Sequence, residues 1–342
     1  MARARKSAMH GTPDPTWRPK IGLALGSGVA RGWAHIGVLR ALERYGFKPD
    51  IVAGTSVGAL IGGTYLAGRI DPMEAWVRAL TKVKVASYLD FRVRGGGMIG
   101  GRHLVEVMQQ HLGNTRIEDL PVPFIAIATD LVTGHEVWLR TGSLVEAMRT
   151  SFSLPGAFEP MQKNNRWLVD GALVNPVPVS ACMAMGAQMT IAVNVNADII
   201  GKQRRTGSSI PSIAGFDLLQ EIENAKGPDK GFKLSALARR VFKREPTQPS
   251  MFGVMISSLG IVQDRISRSR LAGEPPDVHI TPRLGHVGLF EFDRADEIIA
   301  EGEAAVERAL PDLRDALAIF GRDLNGDDSG QEENEVQKKA AP

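Results

Sequence analysis

Between Asp50 and Tyr65 the chain reads DIVAGTSVGALIGGTY. An apolar run, Ile51 to Ala53, has the character of a buried strand, and Val57 to Ala67 that of the helix behind it. Gly54, Ser56 and Gly58 fall between them as G-x-S-x-G. This is the pattern of a nucleophile elbow, in which a sharp strand-to-helix turn lifts a serine hydroxyl out of the chain. Small residues two positions either side of the serine let strand and helix approach closely. The turn also sets the hydroxyl over a helix N-terminus, whose free N–H groups favour developing negative charge. A chain built on this unit is constrained to an α/β architecture with Ser56 at the carboxyl edge of a sheet.

The surrounding pattern agrees. Lys20 to Leu25 (KIGLAL) reads as a first buried strand, followed by the glycine-rich turn GSGVARG at 26 to 32 and a helix to about Tyr45 that Gly46 ends. Strands alternating with helices argue for a mainly parallel sheet covered on both faces. Asp71 and Pro72 resemble an N-cap and first helical position. A cluster at Gly95, Gly96, Gly97, Gly100 and Gly101 reads as a loop before a helix at 102 to 112. Further strands are expected at Phe124 to Thr129, Glu136 to Leu139, Trp167 to Val169, Thr190 to Val195 and Val278 to Thr281. Helices are expected at Leu144 to Ser151, at Phe252 to Arg270, and from Arg294 to Leu310, where Pro311 should end the last one.

Three stretches fall outside this pattern. Residues 1 to 19 read as a disordered basic arm without the apolar core of a secretory signal, and 321 to 342 as an acidic disordered tail. From about 198 to 250 basic and small residues dominate, as in an insertion or lid on the domain spanning 20 to 320. Within it, 232 to 244 has the spacing of a basic amphipathic helix. Such a helix either docks on its own protein or lies on an anionic membrane.

With 41 Lys and Arg against 38 Asp and Glu, the net charge of +3 gives no argument for nucleic acid. A single cysteine, Cys182, excludes an internal disulfide framework and fits a reducing compartment. No run of about eighteen apolar residues occurs, so membrane contact would be peripheral. The expected location is the cytoplasm, with 232 to 244 the candidate for contact at the inner membrane surface.

For the chemistry, a serine nucleophile needs a base and oxyanion donors. GSGVARG follows a strand and opens a helix, so its N–H groups can form an anion nest beside Ser56 if the first two strands are neighbours. As a dinucleotide fingerprint the same loop fails, because Arg31 stands where the third glycine belongs. In a Ser-Asp-His order only His279 and His286 come late enough to follow Asp170. Asp170 itself, in WLVDGALVNPVP, ends a strand at a tight turn on the edge where the elbow opens. It is either a direct base for Ser56 or an ordinary Asx turn, and Asp130 competes with it.

Taken together, GSGVARG at 26 to 32, GTSVG at 54 to 58, ATDLVTG at 128 to 134, SFSLPGAFEP at 151 to 160 and DGALVNPVP at 170 to 178 resemble the patatin-like phospholipases. The likeness is greatest to their bacterial RssA-type branch, related to neuropathy target esterase, and runs from about residue 20 to 310. It implies a patatin-like α/β sandwich with a central mainly parallel sheet flanked by helices. It also implies a lipid acyl hydrolase that uses a Ser56–Asp170 dyad, with no metal or organic cofactor. Gly26, Ser27, Gly28, Val29, Arg31 and Gly32 would then form the oxyanion and substrate-binding loop, with Gly26, Gly28 and neighbouring amides as donors. Ser27 departs from the glycine of the broad family pattern. The alternative expectation is a peripheral membrane or regulatory protein with a weakly active pocket of this kind.

Overall fold

A computed structural model describes residues 18–82, 84–85, 97–99, 102–198 and 251–320. The basic arm up to residue 17, the insertion from 199 to 250 with its amphipathic stretch 232–244, and the tail from 321 lie outside the described residues. The last part of the arm is held in place, since Arg18 forms a two-pronged ion pair with Asp50 at 2.5 Å.

The centre is a mixed sheet whose parallel part is built from the most apolar runs in the sequence. Strands β1 (Ile21–Leu25), β2 (Ile51–Thr55), β4 (Phe124–Asp130) and β9 (Met189–Val193) are buried along their whole length, as strands covered on both faces must be. With β10 (Val278–Ile280) they lie in the order β10-β9-β1-β2-β4, every neighbouring pair parallel. Beyond them the direction reverses. Strand β5 (Glu136–Leu139) and strand β8 (Arg166–Asp170) both pair antiparallel with β4, and β7 (Met161–Lys163) pairs with β8. A separate two-stranded sheet joins β3 (Gly97–Ile99) to β6 (Gly156–Phe158), so Gly97 begins a strand rather than sitting in a loop.

The registers place the site. Ile127 of β4 pairs with Thr55, the last residue of β2, and the next residue, Ala128, pairs with Asp170, the last residue of β8. Two strands running in opposite directions therefore finish at adjacent positions on β4.

Helices cover the sheet. Helix α1 (Ala34–Arg44) packs on the closing helix α8 (Ala295–Ala318), while α2 (Val57–Leu66) is buried from Val57 to Thr64 and sits inside the core. Helix α3 (Ile70–Arg78) begins before Asp71. Gly68, at φ 67°, ends α2, and burial of Ile70 draws the chain back into helix two residues earlier than the Asp71–Pro72 signal implies. Asp71 and Pro72 lie in its first turn, where proline's missing N–H goes unused, and Asp71 instead pairs with Arg40. Helices α4 (Arg102–Leu112), α5 (Leu144–Ser151) and α6 (Val179–Ala184) follow in the chain. Helix α7 (Met251–Gly273) precedes β10. Pro311 does not end α8 as expected: the helix runs on to Ala318 because Leu313, Ala316 and Leu317 are buried on the far side of it. Cys182 on α6 is fully buried, and burial pushes its thiol up to about 12.

Candidate active site

Ser56 sits between β2 and α2 at φ 58° and ψ −124°, a left-handed backbone that residues with side chains rarely adopt. The glycines beside it are needed for close approach. A Cβ on Gly54 would collide with the backbone of Ala59, and one on Gly58 with the carbonyls of Leu25 and Gly26. The conformation is fixed by a short relay in which the Ser56 N–H donates to Ser151 Oγ at 2.9 Å and the Ser151 hydroxyl donates to the Ile127 carbonyl at 2.6 Å.

The Ser56 hydroxyl donates to Asp170 Oδ2 at 2.6 Å. The other carboxylate oxygen accepts the Ala172 N–H at 2.8 Å, so Asp170 caps its own turn and faces the serine at once. Its backbone is also tied down: the Asp170 N–H donates to Ser153 O, and the Asp170 carbonyl accepts from Thr129 Oγ1. Asp170 is 1% exposed. Burial lifts its carboxyl from the ordinary range to about 7, with the hydrogen bonds from Ser56 and Ala172 opposing the rise.

The competing candidates are placed elsewhere. Asp130 Oδ1 accepts the N–H groups of Val132 and Thr133 and is an ordinary Asx turn, which holds its carboxyl below the usual range. His286 is exposed and bonded to Glu297, and His279 lies on β10, three strands away from β2 in the sheet order. Among the described residues no histidine hydrogen-bonds Ser56.

The glycine-rich loop packs against the elbow, with Gly32 seated on the Val57 side chain. Its amides are not equivalent. Gly26 N–H donates to Val193 O and Ser27 N–H to Pro176 O, so two of the expected donors are consumed in holding the loop to its neighbours. The N–H groups of Gly28 and Val29 have no acceptor among the described residues, and Val29 is held at φ 52°, a costly setting for a β-branched residue. Arg31 is a clamp. Its side chain is buried and donates to Val287 O at 2.8 Å and to Asn196 Oδ1 at 3.4 Å, and desolvation lowers its pKa to about 10.

Two supports were not singled out in the sequence. Asn196 donates to Ser27 O at 2.7 Å, and His35, fully buried, bonds through Nε2 to Gly26 O at 2.7 Å. Burial drops His35 to about 4, so it is neutral and donates. Neither has a local signature, since each acts on a loop reached only through the fold.

An apolar cavity of about 200 Å³ opens between this loop and α7, walled in part by Gly28, Val29, Leu154, Ile256, Leu259 and Leu289. Among the described residues no cluster of His, Cys, Asp or Glu is arranged to hold a metal ion, and no helix is long and apolar enough to cross a membrane.

Comparison with known proteins gives concordant results. Residues 23–183 match the family model described as patatin-like phospholipase. An uncharacterized NTE family protein of Mycobacterium tuberculosis is 31% identical over 329 aligned positions, covering 85% of this chain and 91% of the relative. Two much longer animal proteins match over part of their length. The neuropathy target esterase of Drosophila melanogaster is 34% identical over 52% of this chain and 13% of its own length. Patatin-like phospholipase domain-containing protein 6 of Mus musculus is 32% identical over 64% of this chain and 17% of its own. With the sheet, the elbow and the extent of these likenesses in agreement, the chain belongs to the patatin-like phospholipase family, among its NTE relatives.

Proposed function

We propose that this protein hydrolyses carboxylic esters of lipids through an acyl-Ser56 intermediate, with Asp170 as the base. Family membership supports a hydrolase acting on ester bonds. The observation that carries the finer reading is the 2.6 Å bond between Ser56 Oγ and a buried carboxylate whose proton affinity lies near neutrality.

In this scheme Asp170 takes the hydroxyl proton as Ser56 Oγ attacks the ester carbonyl. The unpartnered N–H groups of Gly28 and Val29 receive the oxyanion, and the first turn of α2 adds its own free amides. The alcohol departs with the proton from Asp170. Water then attacks the acyl-serine, gives its proton to Asp170, and the acid is released as Ser56 recovers its own. The apolar cavity beside Gly28 and Val29 is suited to the acyl chain.

Labelling with a fluorophosphonate tests the scheme. Wild type should be modified, Ser56→Ala should not, and Asp170→Asn should react slower by roughly 100-fold or more. Because the base works only when ionised, kcat/KM on a soluble ester should rise with pH through about 7. Ester hydrolysis retained by purified Ser56→Ala would sink the mechanism.

A further inference from the structure

The carboxyl edge of the sheet carries an apolar surface that the reaction does not use. Strand β4 runs on into the turn Leu131–Gly134, and Leu131 N–H donates to the carbonyl of Trp167 on β8. Leu131 and Trp167 are thus cross-strand neighbours on one face, and both are open to solvent, at 52% and 46%. Val132, at the tip of the turn, is 80% exposed. The tip is held in shape, because Asp130 binds the N–H groups of Val132 and Thr133. Beside it, β7 and β8 meet in a second tight turn with Asn164 and Asn165 at φ 50° and 58°.

The exposed charge at these two hairpin ends is basic. Residues 131–135 and 161–167 contain no Asp or Glu, and they include Lys163 and an exposed Arg166. Asp130, the carboxylate that ends β4, is buried in its turn with Arg166 3.9 Å away. A tryptophan and two aliphatic side chains on one face, with Lys163 and the exposed Arg166 paired on the other face of the β7–β8 hairpin, match the chemistry of an anionic lipid surface. Trp167 and Asp170 are three positions apart along β8, about 10 Å at the rise of a strand.

We propose that Leu131, Val132 and Trp167 dock the protein on anionic lipid, setting the Ser56 edge toward the bilayer. The proposal rests on the reading above only in taking the substrate to be a lipid. Binding is therefore measured on the full-length Ser56→Ala protein, with phosphatidylcholine vesicles containing or lacking phosphatidylglycerol and bearing brominated acyl chains. Tryptophan emission should be quenched on the anionic vesicles, and Trp167→Phe should remove most of the quenched signal. The double variant Leu131→Ser/Val132→Ser should partition at least about ten-fold more weakly. Lys163→Gln/Arg166→Gln should weaken binding several-fold on anionic vesicles only, and less at high salt. With Ser56 restored, the Leu131/Val132 variant should keep its rate on a soluble ester and lose turnover of vesicle-borne ester. Vesicle binding that is unchanged in these variants, or absent in wild type, overturns the proposal. So does a solution mass above the monomer that falls in the double variant, which would assign the patch to a second copy of the chain. A wild-type protein that hydrolyses esters but does not bind vesicles rejects the docking surface alone, and one that binds vesicles through these residues but does not hydrolyse esters rejects the dyad alone.

Discussion

Ser151 holds the backbone of the proposed nucleophile without taking part in its chemistry. The backbone of Ser56 costs about 1–3 kcal/mol to hold in its left-handed setting, and the Ser151 hydroxyl ties it to the Ile127 carbonyl. Ser151→Ala leaves a buried N–H without its acceptor. We expect kcat to fall roughly 10- to 100-fold with KM nearly unchanged, and the unfolding free energy to drop by about 1–3 kcal/mol. Steady-state kinetics with a denaturant titration check both; unchanged kcat would reduce Ser151 to packing. Legibility at this scale was uneven. Ser56 announces itself through G-x-S-x-G, but Asp130 and Asp170 each end a strand and each cap a turn, so their local chemistry is the same. Only the register on β4 decides which one faces the serine. For the same reason the sequence offered Gly26 as an oxyanion donor, since nothing local says that its N–H is already given to Val193 on a strand 167 positions later.

Among the elements, α1 and α8 cross where neither can carry a side chain. A Cβ on Gly37 would overlap the Ile299 carbonyl, and one on Gly302 the Ala34 carbonyl. Both obstacles are backbone, so no rotamer change relieves them. Gly302→Ala should force the helices apart and lower stability by about 1–3 kcal/mol, read as a fall in thermal midpoint; an unchanged midpoint would mean that α8 shifts freely. Apolar runs made β1, β2, β4 and α2 readable to within a residue or two, because their burial is written in their own composition. Short pieces such as β6, β7 and α6 were not foreseen. Each is three to six residues long, too short to show a period, and is held by its neighbours. Pro311 misled for the opposite reason, a strong local signal outweighed by burial of the turn beyond it.

For the molecule as a whole, the raised carboxyl of Asp170, the proposed base, bears on stability. Its folded value near 7 stands above the ordinary 3.8, so between these limits the native state keeps a proton that the unfolded chain has released. The associated stability is fully present below about pH 4 and is lost as pH rises through 7. Asp170→Asn should therefore melt above wild type at pH 8, by an amount equivalent to at most about 4 kcal/mol, and the gap should close toward pH 4. A constant gap across that range would show that the carboxyl is not perturbed. The α/β class and the predominance of parallel strands were legible because alternating strand and helix signals admit few other assemblies. The reversal of β8 was not, since a strand's direction depends on the path of the chain before it. That reversal has a temporal consequence. The ribosome finishes the serine long before it reaches residue 170, and the carboxylate that ends β4 in the interval, Asp130, is taken up by its own turn. On the proposed mechanism the growing polypeptide carries a silent hydroxyl through the stage when it is least protected, and gains its base only when a strand arriving from the opposite direction closes the gap.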